Sequence, residues 1–124
     1  MRSSLRGLVW VVMVAGLAAS VQARAASGAA LFASKCQICH SVAAKGAPAL
    51  LAPNLRGLVG RKAASSAFPS YSAALKKSGL TWTSANLDTF LAAPGKLVPG
   101  TRMVIGVPDA RQRADLIAWL ATQR

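Results

Sequence analysis

Apolar residues follow two patterns along this chain. From Leu8 to Ala19 they form one run broken only by small residues, whereas beyond Gly28 they recur at helical spacing between stretches rich in Ala, Gly and Pro. Ser27 to Cys39 reads as a helix with Ser27 as N-cap and with Leu31 and Phe32 on related faces. Ser41 to Ala67 lacks periodicity and reads as long ordered loops, a kind of segment that in a compact domain is functional or wrapped around something. Tyr71 to Lys77 forms a short helix closed by Gly79. Thr83 or Ser84 caps another, which runs through Leu87, Phe90 and Leu91 and stops before Pro94. The last helix begins at Asp109, paired with Gln112 as a capping box, and carries the stripe Leu116, Ile117 and Leu120 with Trp119 beside it. No segment alternates in the manner of a strand. The expected fold is all-α, about four short helices joined by generous loops.

The apolar run changes the domain reading. Arg2 and Arg6 precede it, and Val21-Gln22-Ala23 and Ala23-Arg24-Ala25 each place small residues where a signal peptidase reads them. Residues 1–25 are therefore expected to be a secretory signal, cleaved after Ala23 or Ala25, with one domain over 26–124. The competing reading is a retained membrane tether, but the run falls short of the ~20 residues that span a bilayer. Cleavage after Ala25 removes Arg2, Arg6 and Arg24, leaving 12 basic residues against Asp88, Asp109 and Asp115, a net charge of +9, or +10 if Arg24 stays.

About a hundred residues make a domain of thin stability margin, so a large apolar group at its centre would help. A disulfide between Cys36 and Cys39 would add little, because the loop it closes is so short. The string Cys36-Gln37-Ile38-Cys39-His40 suggests another staple. Residues three apart on a helical turn share a face, so both thiols can reach the two vinyl groups of one haem, with the next imidazole beneath its iron. Three alternatives compete: a thioredoxin-type dithiol, which sits in a βαβ setting; a zinc site, which wants four ligands where this chain has two Cys and one His; and accident. His40 is the only histidine, which excludes bis-histidine ligation within one chain, and Met103 is the only methionine beyond the signal. A lone methionine is commonly core filler. Met103 lies instead in the turn-rich stretch Leu97-Val98-Pro99-Gly100-Thr101-Arg102-Met103, which favours a second axial ligand in the His/Met pattern.

With these motifs the sequence resembles the class I c-type cytochromes of mitochondria and bacteria, over roughly Gly28 to Ala121. Gly28 and Phe32 match that family's first-helix contacts, and Leu116 and Trp119 their partners on the last helix. The resemblance implies a class I cytochrome c fold wrapped around one covalent haem c. It also implies that Pro53, in Pro53-Asn54-Leu55, accepts a hydrogen bond from the proximal His40, and that Arg61, Tyr71 and Trp82 surround a buried haem propionate. Pro99 to Met103 matches the methionine loop, whose Thr101 supports the pocket. Two positions depart from the animal members, Leu75 standing in place of an asparagine and Ile105 in place of a phenylalanine. The segment from Met103 to Asp115 is also one residue shorter.

The implied function is a periplasmic, monomeric, mono-haem electron carrier rather than an enzyme, passing single electrons between redox proteins through the exposed haem edge. Lys35, Lys45, Lys76, Lys77, Lys96 and Arg102 are candidates for a basic ring facing acidic patches on a donor dehydrogenase or bc1-type complex and an acceptor oxidase or reductase. The alternative is the cytochrome subunit of a periplasmic dehydrogenase. A peroxidase or gas sensor would need an open iron position. Nucleic-acid binding has only the charge in its favour, and export and the lack of a motif oppose it.

Overall fold

A computed structural model describes residues 4–44 and 51–124, with side chains from residue 16 onward. The described residues form five helices in succession: α1 (Ser4–Lys35), α2 (Ala73–Ser78), α3 (Ser84–Ala92), α4 (Pro94–Leu97) and α5 (Ala110–Thr122). Among the described residues the only β pairing is an isolated bridge between Lys62 and Thr81. The all-α expectation holds.

α1 differs from the expected helix at both ends. It runs unbroken through Ser27, which therefore caps nothing, because the Ala-rich stretch before it is a strong helix former. It stops at Lys35, and residues 36–39 form turns. Helical-type bonds persist there: Cys39 N–H donates to the Cys36 carbonyl at 3.1 Å and His40 N–H to the same carbonyl at 2.8 Å. Both cysteines thus stay on one tight turn.

The shorter helices are built by local chemistry. Ser72 caps α2 by accepting from Leu75 N–H, and Gly79 ends it in the left-handed conformation at φ 65°. Thr83 rather than Ser84 caps α3, in a reciprocal box with Asn86. Pro94 ends that helix and then serves as first residue of the single turn α4, where its missing N–H costs nothing. Asp109 Oδ1 accepts from Gln112 N–H at 2.8 Å, one of the two bonds of the expected box.

α1 and α5 cross at Gly28. A Cβ built there would stand 2.3 Å from the Asp115 carbonyl oxygen and 2.4 Å from Trp119 Cβ, so only glycine permits this approach. One turn further on, the Phe32 and Trp119 rings pack with centroids 5.0 Å apart. Leu116, 1% exposed, lies at the centre of a core completed by Phe32, Leu58, Trp82, Leu87, Phe90, Leu91, Val98, Val107, Ile117 and Leu120. Cys36 and Met103, half-buried, pack against that core. Among the described residues no helix is long and apolar enough to cross a membrane.

Candidate functional site

The crossing of α1 and α5 fixes where α1 ends, and hence where the cysteine turn begins. Cys36 and Cys39 are both free thiols. Burial pushes the Cys36 thiol up from its ordinary 9.0, and the neighbouring Lys35 ammonium partly opposes the rise.

His40 follows directly, and its Nδ1 lies 2.7 Å from the Pro53 carbonyl oxygen. A carbonyl only accepts, so Nδ1 carries the proton and Nε2 keeps its lone pair. Burial lowers the pKa of His40 below its ordinary 6.5, with the Pro53 bond pulling the other way, so the ring favours the neutral form that a metal requires. This arrangement matches the sequence expectation for Pro53.

The loop that carries Pro53 is held by contacts that sequence reasoning did not assign. Ala52 N–H donates to the Cys39 carbonyl at 3.1 Å and Leu55 N–H to the Ser41 carbonyl at 2.7 Å. Asn54 Nδ2 reaches the Ala43 carbonyl at 3.3 Å, while its Oδ1 accepts from Arg56 N–H at 2.8 Å. Arg56 Nη1 donates to the Val42 carbonyl at 3.1 Å. These bonds bring Pro53 to the histidine ring. No periodicity or spacing marks Arg56, because its partners are backbone carbonyls distant in sequence.

Arg61 and Trp82 lie side by side: Trp82 N–H donates to the Arg61 carbonyl at 2.9 Å and Gly60 N–H to the Trp82 carbonyl at 2.7 Å. The Arg61 guanidinium is already engaged, donating to the Arg56 and Asn54 carbonyls, each at 3.0 Å. Trp82 is buried edge-on to Phe90 at 5.0 Å. Tyr71 is buried too, but its hydroxyl pairs with Ser66 and its ring packs edge-on against Phe68 at 5.2 Å. The structure thus joins Arg61 to Trp82 and gives Tyr71 a partner of its own.

On the other side of the core, Pro99 and Gly100 turn the chain toward Met103. Gly100 adopts φ 91°, a left-handed conformation that suits glycine, and a Cβ there would stand 3.2 Å from Ala74 Cβ. Thr101, half-buried, donates its N–H to the Val98 carbonyl at 3.0 Å. Lys35, Lys76, Lys77, Lys96 and Arg102 are exposed, and Lys45 lies outside the described residues.

Two free thiols beside a proton-fixed imidazole are a donor set suited to covalent haem. Among the described residues no three of His, Cys, Asp or Glu come together to hold a metal ion. The described residues hold one isolated β bridge and not the βαβ setting that a thioredoxin-type dithiol needs. Residues 25–124 match the family model for cytochrome c. The chain belongs to the cytochrome c family. It is 47% identical over 90 residues to cytochrome c2 of Rhodomicrobium vannielii, covering 72% of this chain and 71% of that protein. It is 44% identical over 97 residues to cytochrome c of Guizotia abyssinica, covering 77% and 86%. The solved structure of cytochrome cH from Methylobacterium extorquens is 46% identical, covers 79% of this chain and 97% of its own, and superposes with a TM-score of 0.69. The chain is a class I c-type cytochrome with one covalent haem c, and its family transfers electrons.

Proposed function

We propose that the chain is exported to the periplasm, loses residues 1–25 or 1–23, and works there as a diffusible monomeric carrier of single electrons. Cys36 and Cys39 would hold the haem through thioethers, and His40 and Met103 would be its protein ligands. The bond from His40 to Pro53 is the observation that carries this reading: it fixes the tautomer and leaves the ring able to ligate through Nε2. When bound, haem c supplies an iron that gains and loses one electron.

The chain's own residues set how that happens. With His40 and Met103 both given to the iron, the chain would act as a carrier whose reaction partners are other redox proteins rather than as an enzyme. The soft thioether of Met103 favours the ferrous form. Arg61 and Trp82 would supply N–H donors for a buried propionate; because Arg61 also bonds the Asn54 and Arg56 carbonyls, it would tie that carboxylate to the loop carrying Pro53. Tyr71 and Thr101 complete the pocket wall. Exposed lysines steer the carrier toward acidic surfaces. Export is supported by the basic opening, the apolar run and the small-residue sites before Ser27, and by a family match that begins at residue 25.

The ligand set is tested with Met103→Ala. The variant should keep its covalent haem, show a lower potential and take up cyanide readily. A variant with the wild-type spectrum and potential would remove Met103 from the iron. The mass of the periplasmic protein reports the processed terminus and the added haem together.

A further inference from the structure

We propose that Arg113, aligned by Asp88, is a positioning residue for Met103: together they fix the far end of the loop that presents the thioether. The inference rests on the reading of Met103 as an axial ligand. Residues 101–109 have no helix or strand of their own, so attachments at the two ends set their shape. At the near end, Thr101 N–H bonds Val98 and Arg102 Nη1 donates to the Ser70 carbonyl at 2.6 Å. At the far end, Val107 is buried and its N–H donates to the Leu91 carbonyl of α3 at 2.7 Å. Gly106 sits so close to α3 that a Cβ would stand 2.6 Å from the same oxygen.

The carbonyl of the buried Val107 needs a donor, since a buried backbone acceptor left unpaired is costly, and the exposed Pro108 carbonyl beside it offers a second point of attachment. Arg113 supplies them. Its Nη1 donates to Val107 at 3.0 Å and to Pro108 at 2.7 Å, while its Nε donates to Asp88 Oδ1 at 2.7 Å. One guanidinium therefore binds the loop, α3 and α5 together. The bland alternative is a surface ion pair, which contributes little to anything. The Arg113 side chain is only 12% exposed, however, and two of its three bonds go to loop backbone rather than to the carboxylate. A lysine could pair with Asp88 but lacks the planar fork that serves both groups of partners.

A neutral thioether is a weak ligand, and its hold on iron depends on being presented with little reorganisation. Loosening the Val107–Pro108 anchor frees the stretch that follows Met103 and populates a state with the sulfur withdrawn. Cyanide uptake by the ferric holoprotein reads that state, because the sulfur must leave first. The test compares wild type with Arg113→Gln, Arg113→Lys, Asp88→Asn and Thr83→Ala; the last destabilises the start of α3 without touching the loop. Loss of a charge-assisted bond corresponds to about ten-fold in an equilibrium, so cyanide uptake should rise about ten-fold in Arg113→Gln and Arg113→Lys. It should rise less in Asp88→Asn and not at all in Thr83→Ala, with haem covalent throughout. Unchanged uptake in a folded Arg113→Gln protein would overturn the proposal, as would an equal rise in Thr83→Ala, which would mean general destabilisation. Should Arg113→Gln fail to fold, Asp88→Asn decides: uptake above Thr83→Ala supports the proposal and uptake equal to it refutes it. Absence of the methionine-to-iron absorption band in the wild-type ferric protein would instead remove the ligand assignment, and this inference with it.

Discussion

Gly28→Ala isolates the contact that places the cysteine turn. The added methyl carbon would stand 2.3 Å from the Asp115 carbonyl oxygen and 2.4 Å from Trp119 Cβ. Neither atom sits on a flexible side-chain end that could swing aside. Ordinary carbon contacts lie at about 3.5–4.0 Å, so α1 and α5 must separate by more than about 1 Å. A gap of that order forfeits between a quarter and a half of the dispersion energy of the contacts spanning it, the Phe32–Trp119 pair among them. Overpacking of this kind costs about 1–3 kcal/mol, and the rigid neighbours place this site in the upper part of that range. Alanine improves helix propensity by about 1 kcal/mol, which reduces the loss but does not reverse it. The net expectation is destabilisation by about 1–2 kcal/mol, or roughly 5–15 °C in melting temperature for a domain of this size. Thermal melts of the holoprotein followed by circular dichroism would measure it. Gly95→Ala is the control: it makes the same substitution within helix α4 where nothing lies within 4 Å, and should leave stability unchanged or slightly raised. A Gly28→Ala protein as stable as wild type would refute the steric reasoning.

Two further expectations concern the haem and the surface. A double variant, Cys36→Ala with Cys39→Ala, should be largely unfolded after export, because helices this short and loops this long need the haem as interior; a cooperative thermal transition in the haemless chain would contradict this. Lys35→Gln should slow electron transfer with an acidic redox partner and flatten its dependence on salt, while changing stability by less than about 1 kcal/mol. Stopped-flow rates across a salt series provide the measurement, and an unchanged salt slope would take Lys35 out of the docking face.

What was legible in the sequence was local chemistry. Gly79 ended α2, Pro94 ended α3 and Asp109 began α5 because each acts on its own few neighbours. The choice between Thr83 and Ser84 was not decidable by residue type, since both have a capping hydroxyl; Asn86, three residues after Thr83, completes the reciprocal pair. Ser27 misled because a capping side chain has no role where the upstream chain is already helical. Pro53 was readable only through the family resemblance, and the contacts that carry it to His40 were not readable at all. Asn54, Arg56 and Arg61 act on carbonyls, and a carbonyl is present at every residue, so sequence offers nothing to single out the one that is bonded. Tyr71 illustrates the same limit: the resemblance placed it around a propionate, but its pairing with Ser66 depends on the path of a loop.

Among the described residues, four arginines of this chain are placed differently from the lysines, and the difference follows from the fold. Among the described residues, long connections and a single β bridge leave many loop carbonyls without a regular partner, and each buried one needs a donor. Four arginines meet that need. Arg56 bonds Val42, Arg61 bonds Asn54 and its neighbour two residues on, Arg102 bonds Ser70, and Arg113 bonds Val107 and Pro108. The guanidinium suits the task because it is planar, permanently charged and offers several N–H groups in fixed directions. The lysines are placed otherwise: Lys35, Lys62, Lys76, Lys77 and Lys96 are all exposed. A flexible, strongly hydrated ammonium on such a surface adds little to stability but contributes fully to the long-range field. The described positive charge thus includes arginines that tie loop backbone and lysines that stand free on the surface. Substitutions in the first should be read in stability and ligation, and those in the second in rates and salt dependence.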